Sequence, residues 1–101
     1  MKLVQPTDFE PLAALQDGRN VAVNLALELD RDRAYLNARL PELLDHGLIA
    51  KIGPAANSGL YELTDAGEAA LTYREEYGEL GPTAFERVVE DAAGGRTGVA
   101  D

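Results

Sequence analysis

Residues 20–47 read NVAVNLALELDRDRAYLNARLPELLDHG, and this stretch decides the fold. Val21, Leu25, Ala26 and Leu29 recur at the three- and four-residue steps of one helix face. Asn20 stands where a helix N-cap would. Asp30-Arg31-Asp32 is too polar to extend that face and reads as a turn. Asp30 can take the left-handed conformation that many such turns give to Gly. Asp32 is placed to cap a following helix with an apolar stripe of Leu36, Leu40, Leu43 and Leu44, which Gly47 ends. Pro41, inside that helix, removes one hydrogen bond and is expected to bend it. Two helices joined by so short a turn form a helix-turn-helix. Small Ala26 lies where the helices touch, and Leu36 and Leu40 anchor the second.

Working outward, Thr7 and Glu10 have the spacing of a capping box. Phe9, Leu12, Ala13 and Leu15 then make a helical stripe, with Pro11 in the first turns, where a missing N–H matters least. Asp17-Gly18 stops this helix, Gly18 being able to take a left-handed C′ conformation. Downstream, Leu48–Ile52 and Leu60–Leu63 read as short strands on either side of the turn-rich stretch 53–59, which makes a β-hairpin with a long tip. Thr64 caps a helix from Asp65 to about Tyr77. Leu80-Gly81-Pro82 breaks it, and Pro82–Ala93 reads as a last helix with Phe85, Val88 and Val89 on one side. These three either cover the core of the same chain or form a seam with a second copy. The fold class is therefore mainly α with a small β-hairpin wing: a winged helix-turn-helix with a three-helix core plus C-terminal helices. Residues 1–77 are read as the DNA-binding domain, 78–93 as a C-terminal helix with a possible dimerisation role, and 94–101 as a Gly-rich disordered tail.

Composition narrows the function. The chain has 101 residues, one domain's worth, and lacks cysteine, which excludes disulfides and thiolate metal sites. The most apolar window, Val21–Leu29, is too short to span a bilayer and the N-terminus lacks a signal-peptide run, so a cytoplasmic protein is expected. The net charge is −9, which argues against a phosphate partner. Seven arginines, two lysines and 18 acids are, however, what a cytoplasm of molar salt favours, and such salt shortens the Debye length to about 3 Å. Acidity then weighs only weakly against DNA. The charge is also uneven: residues 1–61 carry eight acids and six bases, and residues 62–101 carry ten and three.

The second helix of the pair carries the candidate site. With Leu36, Leu40 and Leu43 inward, Ala34, Ala38 and Pro41 lie opposite. Ala34 and Ala38 allow close approach to a major groove and contact with thymine methyls. Asn37 can pair bidentately with adenine, and Arg33 can contact guanine or phosphate. Arg31 and Arg39 extend the basic cluster. Tyr35 reads equally as a packing residue or a phosphate contact. Lys51 and the wing-tip residues Asn57 and Ser58 could touch the backbone or minor groove. The competing reading pairs Arg31, Arg33 and Arg39 with Asp30, Asp32 and Glu28 on a solvated surface. His46, the single histidine, suits a helix C-terminus, where a positive charge meets the dipole favourably. Glu75, Glu76 and Glu79 read as a solvated acidic face.

The run from Asn24 through Asn37, with Arg39-Leu40-Pro41, Gly53-Pro54-Ala55 and Asn57-Ser58-Gly59-Leu60-Tyr61, resembles the small winged-helix proteins of halophilic archaea related to the phage phi-H repressor. The resemblance covers about residues 7–77. It implies a winged-helix fold, DNA binding and transcriptional regulation, often as a dimer, and it names no target sequence.

The expectation is a DNA-binding, repressor-like transcriptional regulator. The helix Arg33–His46 would read the major groove, the wing 53–59 would contact the backbone, and the protein would act as a homodimer. No cofactor, metal, membrane or small-molecule partner is implied. No nucleophile constellation, phosphate loop or acid/base pair suggests an enzyme. The alternative is a winged-helix module for protein interaction or dimerisation that does not bind DNA.

Overall fold

The computed structural model describes residues 1–53 and 59–98. Over these the chain is mainly helical, 64% helix, with a small three-stranded antiparallel sheet. The order is α1 (Phe9–Leu15), β1 (Asn20–Val21), α2 (Ala22–Leu29), α3 (Arg33–Asp45), β2 (Ile49–Ile52), β3 (Leu60–Leu63), α4 (Asp65–Thr72), a 3-10 turn (Arg74–Glu76) and α5 (Tyr77–Gly98). This order is compatible with a winged-helix-like fold.

The turn between α2 and α3 forms as its residues dictate. Asp30 is left-handed, at φ 53° and ψ 47°. The N–H of Arg31 donates to Ala26 O at 3.0 Å and that of Asp30 to Leu27 O at 3.4 Å, the two bonds of a Schellman ending. α3 ends the same way: Leu48 N–H donates to Leu43 O and Gly47 N–H to Leu44 O, with Gly47 at φ 75°. Asp30 thus does on α2 what Gly47 does on α3. The Asp32 side chain caps α3 by accepting from Ala34 N–H at 2.9 Å. The helix continues through Pro41, which is exposed.

Leu36, Leu40 and Leu43 of α3 share one buried core with Leu12 and Leu15 of α1, Leu25 of α2, Leu48 just before β2 and Ile49 of β2. The hairpin pairs Ile49 with Leu63 and Ile52 with Leu60. β3 is the central strand, because β1 pairs with its other edge, Asn20 opposite Tyr61 and Val21 opposite Leu60. Asn20 is therefore a strand residue and not the expected cap of α2. Its Oδ1 accepts from Val21 N–H at 2.9 Å, and α2 starts without a side-chain cap. The Asn20 and Val21 backbone is instead committed to extended pairing with β3.

The capping box at α1 also does not form. The helix begins at Phe9 with no side-chain cap, because both side chains have other partners: Thr7 Oγ1 accepts from Tyr35 and Glu10 pairs with Arg31. Gly18 has φ 139°, beyond the left-handed helical region, and follows Asp17 in the loop after α1. Thr64 does cap α4, accepting from Gly67 N–H at 3.0 Å, and its hydroxyl donates to Gly47 O at 2.6 Å. α4 ends at Thr72, short of the expected Tyr77. Gly81, with φ 78° and ψ 172°, kinks the chain inside the expected Leu80–Pro82 break, but it lies within α5, which begins at Tyr77 and not at the expected Pro82. α5 continues to Gly98, past the expected end at Ala93 and into the stretch read as a disordered tail. Residues 99–101 lie outside the described residues.

Phe85 and Val89 are 0% and 1% exposed, and Val88 is half-buried. Phe85 stacks edge-on against Phe9 and Tyr77, at centroid distances of 6.1 and 5.0 Å. This side of α5 thus covers the core of its own chain, and Phe85 and Val89 do not form a seam. Tyr77 also accepts from Leu3 N–H at 2.8 Å, which fastens the N-terminal segment across the same core. Among the described residues, no helix is long and apolar enough to cross a membrane.

Candidate nucleic-acid interface

The fold divides the predicted contact residues into two groups. Arg33, Ala34, Asn37 and Ala38 are all exposed on α3. At 100° per residue they span one continuous face, with Ala34 and Ala38 opposite the buried leucines and Arg33 at its border with the core stripe. Arg33 has no ion pair among the described residues, so its guanidinium and the Asn37 amide are available to a ligand. Glu42 and Asp45 are exposed nearer the C-terminal end of the helix.

The second group is engaged by other residues of the same chain. Arg31, Tyr35 and Arg39 follow one another at four-residue steps, and residues of the N-terminal segment and α1 hold each of them. Arg31 makes a two-pronged bond to Glu10, Nε to Oε1 and Nη2 to Oε2, both 2.9 Å. The Tyr35 hydroxyl donates to Thr7 Oγ1 at 2.8 Å. Arg39 makes a second fork, to Asp8 at 2.9 and 2.7 Å. Of the expected contact residues, Arg39 and Tyr35 are thus held by Asp8 and Thr7 within the chain.

The two forks differ in burial. Glu10 and Arg31 are 32% and 38% exposed in their side chains, whereas Asp8 is 0% exposed and Arg39 22%. The Arg31 hydrogen bond, and secondarily its charge, hold the Glu10 carboxyl below the usual carboxylate range. The Asp8 bond, and secondarily its charge, raise Arg39 above its ordinary value. Asp8 also accepts from Val4 N–H at 2.8 Å, so one carboxylate ties the N-terminal segment to α3.

The pairing of the arginines also differs from the local scheme the sequence suggested. Asp32 serves as the cap of α3, and Glu28 lies 3.5 Å from Asn20 Nδ2. Asp8 and Glu10 were the missed residues. Each is more than 20 positions from its arginine and looks like an ordinary helix-start acid, so no local periodicity reveals the partnership.

Lys51 is exposed on β2, with Nζ 5.9 Å from the centre of the Tyr61 ring. Residues 54–58, which include Asn57, Ser58 and most of the wing tip, lie outside the described residues. Among the described residues no group of three or more His, Asp and Glu side chains is placed to hold a metal ion. No family model, curated protein or solved structure matches the chain.

Proposed function

We propose that this chain is a winged helix-turn-helix protein that binds double-stranded DNA and regulates transcription. The observation that carries the reading is the outer face of α3, where Arg33, without an ion pair among the described residues, and exposed Asn37 stand among the small side chains of Ala34 and Ala38. A tight turn presents this helix, and the hairpin follows it directly. The small residues let the helix backbone approach base edges closely, and the two polar side chains supply direct readout. Lys51 would contact the backbone beside the groove. A cytoplasmic homodimer belongs to this reading, its two α3 helices about 34–36 Å apart to meet successive major grooves. The acidic, lysine-poor composition and the archaeal resemblance favour a high-salt setting.

The test is binding to labelled genomic fragments, including the region upstream of the protein's own coding sequence, in concentrated potassium chloride. Arg33→Ala and Asn37→Ala are each expected to weaken specific binding by about tenfold or more, the loss of a bidentate base contact being worth about 1–3 kcal/mol. Both variants are expected to melt like wild type, because neither side chain is buried. Wild-type protein that binds no fragment would sink the proposal.

A second reading is an interaction module without DNA binding. It is favoured by the internal pairing of Arg31 and Arg39, which leaves the contact helix less basic than its sequence. Sedimentation or light scattering that shows self-association, together with absence of DNA binding, would select it.

A further inference from the structure

We propose that Glu10 is an intramolecular stand-in for a backbone phosphate, holding the Arg31 guanidinium in the free protein and giving it up when α3 engages DNA. This inference rests on the DNA-binding reading above. A carboxylate and a phosphate each offer two oxygens that match the planar guanidinium fork. The Glu10–Arg31 fork, with both bonds at 2.9 Å, already has that geometry. Both side chains are reached by solvent, and such exposed pairs are held weakly against competing ions. The Arg31 backbone is meanwhile fixed by its N–H bond to Ala26 O. The guanidinium can therefore change partner without movement of the turn. It stands two residues before Arg33, at the end of α3 from which base reading normally proceeds.

The neighbouring fork cannot exchange in this way. Asp8 is fully buried and also holds Val4 N–H, so releasing Arg39 would strand a charge and open the N-terminal segment. The two arginines therefore have different fates: Arg39 is permanently structural, and Arg31 is masked.

Arg31 would neutralise one phosphate whether or not Glu10 is charged, and each phosphate neutralised adds about −0.9 to the slope of log K against log salt. The signature of the mask is therefore in affinity at a fixed salt concentration.

A phosphate contact does not depend on sequence, so the probe is a labelled random-sequence duplex titrated across potassium chloride concentrations. Glu10→Gln is expected to bind about two- to fivefold tighter than wild type, as for loss of one exposed masking pair. Its salt slope should stay close to that of wild type, because the same phosphate is neutralised. Glu79→Gln, the same charge change at an exposed site on α5, should not show the gain in full. The gain should vanish when Arg31→Ala is combined with Glu10→Gln, and Glu10→Ala should behave as Glu10→Gln does. Unchanged melting of the variants confirms that folding is not being read. The inference is overturned if Glu10→Gln matches Glu79→Gln, or if its gain survives without Arg31. If wild type and all variants fail to bind, the DNA-binding reading falls and takes this inference with it; if wild type binds and Glu10→Gln gains nothing, only this inference falls.

Discussion

Arg39→Ala is expected to destabilise the folded protein by about 3 kcal/mol at neutral pH, the low end for breaking a buried ion pair by removing one partner. Asp8 would remain with its carboxylate fully buried, its Arg39 partner gone, and, among the described residues, the Val4 N–H alone still donating to it. Over a chain of this size the loss corresponds to a fall in Tm of roughly 10–20 °C. Urea denaturation of both proteins at neutral pH measures this. Combining Asp8→Asn with Arg39→Ala should lose less than the sum of the single changes, since the pair acts as a unit. A variant within about 0.5 kcal/mol of wild type, as expected for an ordinary surface position, would return Arg39 to the solvated surface.

Gly67→Ala is expected to be comparably severe. A Cβ at Gly67 would lie 2.1 Å from the Leu48 carbonyl oxygen and 2.5 Å from Leu63 Cδ1. The leucine tip can turn away, but the carbonyl cannot move cheaply: it accepts from Thr64 N–H at 3.2 Å, at the junction of hairpin and α4. The Gly67 N–H is itself held by the Thr64 cap. Overpacking of this kind costs about 1–3 kcal/mol, and backbone involvement places this site at about 3. Helix propensity alone would reverse the sign, since Ala is favoured over Gly by about 1 kcal/mol inside a helix. Thermal or denaturant unfolding decides between the two: a variant as stable as wild type would mean that α4 can lift from the hairpin without loss.

The same contrast runs through the whole chain. The turn at Asp30 to Asp32, the caps at Asp32 and Thr64, the ending at Gly47, the kink at Gly81, both hairpin strands and the leucine stripe of α3 were legible in the sequence. Each depends on neighbours within a few positions, where helical or strand periodicity and the conformational preferences of Asp, Thr and Gly act directly. β1 was not legible, because two residues have no periodicity and their pairing to Tyr61 and Leu60 crosses some 40 positions. The capping box at Thr7 was read from correct local spacing and lost to tertiary competition, as Tyr35 and Arg31 took the side chains it needed.

The candidate site divides along the same line. Residue type and helical spacing determined which side chains could face a groove, and they place Arg33, Ala34, Asn37 and Ala38 on one exposed face. Which cations remain available was decided only when α1 and the N-terminal segment packed beside α3. That packing set Asp8 and Glu10 against Arg39 and Arg31. The physical reason is that periodicity fixes a side chain's direction from its own helix, whereas the partner it meets, and the water it loses, depend on a surface brought there by the fold.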